Sequence, residues 1–108
     1  MQNLIEASVI NTMLFNESYL HEEVFLMEDK YFINPIHKEL VTRIKTIISR
    51  GASISLLNLR LEQFFENKDN QQKSCYLGIL SQTQLPMKVA KQYYEEMKIQ
   101  YKIGKLKL

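Results

Sequence analysis

Residues 87–108 read MKVAKQYYEEMKIQYKIGKLKL. At about 100° per residue, Ala90, Tyr93, Tyr94, Met97, Tyr101 and Leu108 fall on one side of a helix. Ile99, Ile103 and Leu106 fall on the opposite side, and Lys91, Lys98, Lys102 and Lys105 fill a flank between them. A helix packed only on its own domain needs one apolar stripe. Two opposed stripes predict a second contact, so Met97, Ile99, Tyr101, Ile103 and Leu106 are the candidate oligomer or partner interface. Gly104 costs about 1 kcal/mol relative to Ala within such a helix. No capping signal precedes the final Leu108, and the expectation is that the helix belongs to a longer protein.

The rest of the chain carries the same period. From Asn3 to Phe15, Leu4, Ala7, Ile10 and Leu14 recur at helical spacing, widened by Ile5, Val9 and Met13. Asn3 and Glu6 have the spacing of a capping box. Ser18 reads as the N-cap of a short second helix, with Val24, Phe25 and Leu26 on its buried side. Tyr31-Phe32-Ile33 has no strand to pair with, and reads as a loop or a single helical turn plugging the core. Asn34-Pro35 opens a helix whose stripe is Ile36, Leu40, Ile44 and Ile47, with Val41 and Ile48 beside it, and Gly51 ends it. Ser55 or Asn58 caps the next helix, with Leu57, Leu61, Phe64 and Phe65 inward. Residues 66–74 form the most polar stretch and read as a surface loop. A short helix from Cys75 to Leu80 follows, with Tyr76, Leu77 and Leu80 inward. The fold class is therefore all-α: a compact bundle of about five to six helices.

Composition supports that reading. The chain has 108 residues with 2 Pro and 3 Gly, too few turn residues for a sandwich or barrel of short strands. A core is available at this length but thin. The single Cys75 excludes an internal disulfide and a cysteine-based zinc site, and points to a reducing compartment. No apolar run approaches the ~20 residues that span a membrane, and the start lacks the pattern of a signal peptide. A cytoplasmic protein is expected. The net charge of +2 hides an asymmetry. Residues 1–29 carry six acidic side chains and no Lys or Arg, whereas all 14 basic residues lie in 30–108 with the other six acids.

Enzyme chemistry finds no support. There is no phosphate loop, no dinucleotide-binding glycine pattern and no HExxH. Gly104-Lys105 lacks both the upstream glycine and the following hydroxyl residue of a Walker motif. His21 and His37 have no metal-spaced partners. Glu22-Glu23 and Glu28-Asp29 read as surface charge, Cys75 as a small packed side chain, and His37 as a structural or first-turn residue. The lysine flank of the last helix, interleaved with Tyr94 and Tyr101, reads as a solvated face, with nucleic-acid contact as the competing reading.

Taken in order, these residues resemble the N-terminal domain of DnaB-type replicative DNA helicases. Glu6-Ala7-Ser8-Val9-Ile10 through Leu14-Phe15-Asn16 is similar to that family's opening helix, with Asn11 where Gly is usual. Glu28-Asp29-x-Tyr31-Phe32-x-x-Pro35-x-His37 resembles its acidic-aromatic joint, and Leu40, Ile44 and Gly51 follow in register. Ile54 to Leu59 is similar to its next segment, with Ser55 and Asn58 replacing the usual Asp and Thr. Tyr76-Leu77-x-x-Leu80 and Tyr93-Tyr94-x-x-Met97 complete the set. Val9, Ile10, Tyr31, Phe32, His37, Leu40, Ile44, Tyr76 and Leu77 form the core motif. These are packing and capping residues, and their order carries the resemblance; the departures at Asn11, Ser55 and Gly104 point to a divergent member.

The resemblance implies a helical head over residues 1–86 and the start of a helical hairpin over 87–108. It implies a non-catalytic module that pairs as dimers within a hexameric collar and binds primase and helicase loaders. No cofactor belongs to such a domain; ATP and magnesium belong to a motor domain outside this sequence. Two alternatives stay open: the helicase-binding C-terminal domain of bacterial primase, and a small basic DNA-binding protein.

Overall fold

Helix α1 (Gln2–Phe15) runs through the middle of a six-helix bundle, and every other helix packs against it. In this computed structural model residues 2–106 are described, with side chains from 3 to 105. The other helices are α2 (Glu17–Glu22), α3 (Pro35–Ile48), α4 (Ile54–Glu66), α5 (Asn70–Leu80) and α6 (Met87–Leu106). Two single 3₁₀ turns, Val24–Leu26 and Asp29–Tyr31, link α2 to α3. No strand occurs among the described residues. The fold is all-α.

The central position of α1 explains its composition. Every residue from Glu6 to Leu14 is buried, so the helix has no solvent face over that span. A helix enclosed on all sides must satisfy its polar side chains internally. The Thr12 hydroxyl donates to the Ser8 carbonyl at 2.9 Å. The Asn11 amide nitrogen donates to the carbonyls of Ile79 at 3.0 Å and Gln82 at 3.2 Å. Those carbonyls lie at and just beyond the C-terminal end of α5, where intrahelical donors run out, so Asn11 ties α1 to that end. The carbonyls that end α1 are met the same way: Asn58 donates to Leu14 at 2.9 Å and Gln84 to Phe15 at 3.2 Å.

The helix starts differ from expectation by a residue or two. Helix α1 already includes Asn3, whose side-chain oxygen accepts from the Asn34 amide at 3.1 Å instead of capping its own helix. Glu6 is no capping-box partner but a buried anchor. Asn16, not Ser18, caps α2 by accepting from the Tyr19 N–H. Ser53, not Ser55 or Asn58, caps α4 by accepting from the Leu56 N–H. In each case the capping residue is the polar side chain that has extended backbone immediately before the first helical turn. The helix expected after Asn34-Pro35 begins there, with Asn34 as its N-cap and Pro35 at its first position. Gly51, at φ +82°, takes the left-handed conformation that lets the chain leave α3.

Three further expectations are corrected. The polar stretch 66–74 is not one loop: Asp69 caps α5, and residues 70–74 are its first turns. Leu77, expected inward, faces solvent, because the inner stripe of α5 runs through Tyr76 and Ile79, and Leu77 is turned about 100° from Tyr76 to the other side. Phe25, Leu26 and Leu4 are likewise exposed, and Val24 alone of the 24–26 turn is buried. The plug assigned to residues 31–33 is Phe32, which is fully enclosed.

Candidate functional site

The sequence singles out α6, and the structure resolves its two faces. Pro86 precedes its first turn, and the Pro86 carbonyl accepts from Val89 and Ala90, each at 3.0 Å. Ala90, Tyr94 and Met97 seal one face into the core. The Tyr94 hydroxyl accepts from the Glu28 N–H at 2.8 Å. The Tyr31 ring meets Tyr94 and Tyr101 edge-on, with centroids 5.9 and 5.1 Å apart. Lys91 pairs with Glu23 at 3.0 Å and stitches the helix to the segment after α2.

The opposite face is bare. Ile99 is 51% exposed and Ile103 40%. They stand one turn apart, beside Gln100, which donates to Glu96 at 3.0 Å. Lys98 donates to Glu95 at 3.3 Å, and that bond raises its pKa above the ordinary lysine value. Of the five residues assigned to an interface, Ile99 and Ile103 therefore present an open surface. Met97 does not: it is fully buried, and its assignment to the interface is corrected to the core. Tyr101 is half-buried against Tyr31. Leu106 closes the helix with its side chain outside the described residues, as Leu108 lies wholly outside them.

The core-motif residues gather around α1. Val9, Ile10, Phe32, Leu40, Ile44 and Tyr76 are buried, Tyr31 is half-buried beside α6, and Leu77 is on the surface. His37 is buried with Glu6, its Nδ1 lying 2.9 Å from the carboxylate. Glu6 also accepts from the N–H groups of Ile33 at 2.8 Å and Asn34 at 3.3 Å. One carboxylate thus fixes the chain just before α3 to the middle of the bundle. Cys75 is half-buried, and burial, followed by the charge of Glu6, pushes its thiol pKa up and suppresses nucleophilic character. Among the described residues no cluster of three or more His, Cys, Asp or Glu is placed to hold a metal. No described helix is long and apolar enough to cross a membrane.

A second surface was not foreseen. A groove of about 640 Å³ runs between the C-terminal half of α3, the turn at Gly51 and α4. Arg43, Arg50 and Arg60, the only arginines in the chain, all line it, over a floor of Ile47, Ala52, Leu56 and Phe64. Arg43 lies on α3 and Arg50 in the turn that follows it. The arrival of Arg60 depends on how α4 packs back against α3.

These observations agree with the comparison to known families. The model of the DnaB-like helicase N-terminal domain matches residues 2–98. The match ends inside α6, one residue before Ile99. No curated protein and no solved structure gives a significant match. The matched family is the helicase domain, so the primase reading falls away. The chain belongs to the DnaB-like helicase N-terminal domain family, the N-terminal domain of replicative DNA helicases.

Proposed function

We propose that this domain is the non-catalytic assembly and recruitment module of its helicase. Residues 1–86 form the head, and residues 87–108 begin a hairpin that pairs with the matching helix of a second subunit. Pairs of this kind build the collar of a ring, and the heads then offer surfaces to primase and a helicase loader. ATP, magnesium and DNA translocation belong to a motor domain.

The observation that carries this reading is the two-sided α6. Its inner face is sealed by Ala90, Tyr94 and Met97, while Ile99 and Ile103 stay exposed on the other side. Adjacent exposed aliphatic residues on a helix whose own domain has no use for them favour a partner helix. The nucleic-acid reading loses support, because Tyr94 and Tyr101 are engaged with Tyr31 and are not free to stack on bases.

Sedimentation velocity over a wide concentration range tests the proposal. Wild type is expected to self-associate reversibly, and Ile99→Asp with Ile103→Asp to abolish the step that is insensitive to salt. A wild type that stays monomeric in high-salt buffer at the highest concentrations would reject pairing through this face.

A further inference from the structure

From the arginine groove we infer a second contact between copies of this chain: the groove of one copy takes the acidic, apolar segment 22–28 of the next. The inference deepens the assembly reading above but stands on different residues.

The groove side is an uncompensated positive surface. Among the described residues neither Arg43, Arg50 nor Arg60 has a carboxylate within 4 Å. No carboxylate lines the groove either. Arg43 and Arg50 also border a neighbouring depression that holds Asp29, Glu39 and Lys38, so Arg60 is the arginine that faces the α4 side alone. A guanidinium left without a carboxylate beside apolar side chains suits a partner that brings both charge and an apolar group. The floor of Ile47, Ala52 and Leu56 supplies the apolar half.

The occupant's chemistry is present in the same chain. Glu22, Glu23, Glu28 and Asp29 flank the turn Val24–Leu26; Glu23 is paired with Lys91 at 3.0 Å and Glu28 with Lys30 at 3.2 Å, an exposed pair that can exchange its partner. On that turn Phe25 is 48% exposed and Leu26 76%. Two protruding apolar side chains within a run of acids are the complement of an apolar floor under three arginines. Nucleic acid fits less well. The Phe64 ring is already covered by the Arg43 guanidinium at 3.7 Å and the Lys68 ammonium at 4.3 Å. That leaves no aromatic face for a base. Acidic and basic surfaces separated in this way also steer encounter between copies.

Charge reversal tests the contact. Arg50→Glu with Arg60→Glu alters the groove, leaving Arg43 on Phe64; Glu22→Lys with Glu28→Lys alters the segment. All four side chains are exposed, and circular dichroism of each variant verifies the fold. Sedimentation is read in about 0.1 M and about 1 M NaCl, between which the screening length falls from about 10 Å to about 3 Å. Wild type is expected to show an association step that weakens at high salt, and each double variant to lose that step by about tenfold or more in Kd. An equimolar mixture of the two variants is expected to regain it. The Ile99→Asp, Ile103→Asp protein keeps this step while losing the salt-insensitive one, so the two contacts fail separately. Unchanged salt-sensitive association in the double variants, or no recovery on mixing, overturns the inference. A groove variant that loses binding to a single-stranded oligonucleotide while self-association persists assigns the groove to nucleic acid instead, and a groove bound by an acidic peptide with the same persistence assigns it to another protein.

Discussion

The Glu6 carboxylate lies 2.9 Å from His37 Nδ1, and neither side chain is more than 3% exposed. The pair joins α1 to the first turn of α3, and the same carboxylate holds the Ile33 and Asn34 N–H groups. Removing Glu6 therefore strands three donors at once, whereas removing His37 leaves the carboxylate two backbone partners. Glu6→Ala is expected to cost about 3–5 kcal/mol, and His37→Leu distinctly less. Urea denaturation of both variants checks the order. Equal losses would mean that the backbone bonds contribute nothing beyond the pair.

Met97 and Ile99 sit two residues apart on α6 in opposite environments. Met97→Ala is expected to destabilise by about 2–5 kcal/mol, as large-to-small changes in a closed core do. Ile99→Ala is expected to stay within about 0.5 kcal/mol in the monomer. Thermal unfolding at low concentration measures both. A large loss at Ile99 would place its side chain in the domain's own core.

Asn11 tests whether a polar side chain enclosed in α1 is structural. Asn11→Ala removes the side-chain donor to the Gln82 carbonyl and one of the donors to the Ile79 carbonyl, which keeps the Gln82 N–H at 3.2 Å, and is expected to cost about 1–3 kcal/mol. Asn11→Asp sets a carboxylate against the same carbonyls and is expected to cost more at neutral pH. Acidification, which restores a donor to the aspartic acid, should narrow the gap between the two variants.

Tyr19 makes stability depend on alkaline pH. Burial, then the charge of Glu23 and the proximity of Tyr94, hold its phenol well above the ordinary tyrosine value. Tyr76 and Tyr94 are raised too, mainly by burial. The unfolded chain loses these protons near pH 10, while the folded chain retains them. Stability from this source is complete below about pH 10 and falls as pH rises past it. Urea midpoints measured through that range are expected to drop, and to drop less steeply in Tyr19→Phe. Identical slopes would remove Tyr19 as the source.

Cys75 is expected to react slowly with a disulfide reagent at mildly alkaline pH in the folded protein, and far faster in denaturant, because burial raises its thiol pKa. Comparable rates in the two states would show that the thiol is open.

What the sequence made legible follows from how each helix is buried. Helices α3, α4 and α6 each turn one face inward, and a single amphipathic period reveals that: Leu40, Ile44, Leu61, Ala90 and Ile99 could be placed on faces from spacing alone, whereas Met97 shares the inner stripe and belongs to the core, not to the interface. Helix α1 defeats the method. Its Glu6, Ser8, Asn11 and Thr12 look like a solvated face, yet all four are enclosed, with Glu6 and the Asn11 amide nitrogen bonded to other elements and Thr12 to its own backbone. Leu77 differs because a short window with apolar residues at 76, 77, 79 and 80 fits two inward stripes, and the packing of α5 on α1 selects the one through Tyr76 and Ile79. The arginine groove needs the packing of α4 on α3, a long-range relation that no local window contains.

The enclosed α1 also sets how the domain comes apart. Each of the other five helices rests on it, so loosening α1 takes a packing surface from all of them at once. Amides in α3, α5 and the first half of α6 should then exchange with solvent at one common rate limit, in a single opening. A domain that melts in one piece is either wholly folded or wholly open, with no half-folded head in between.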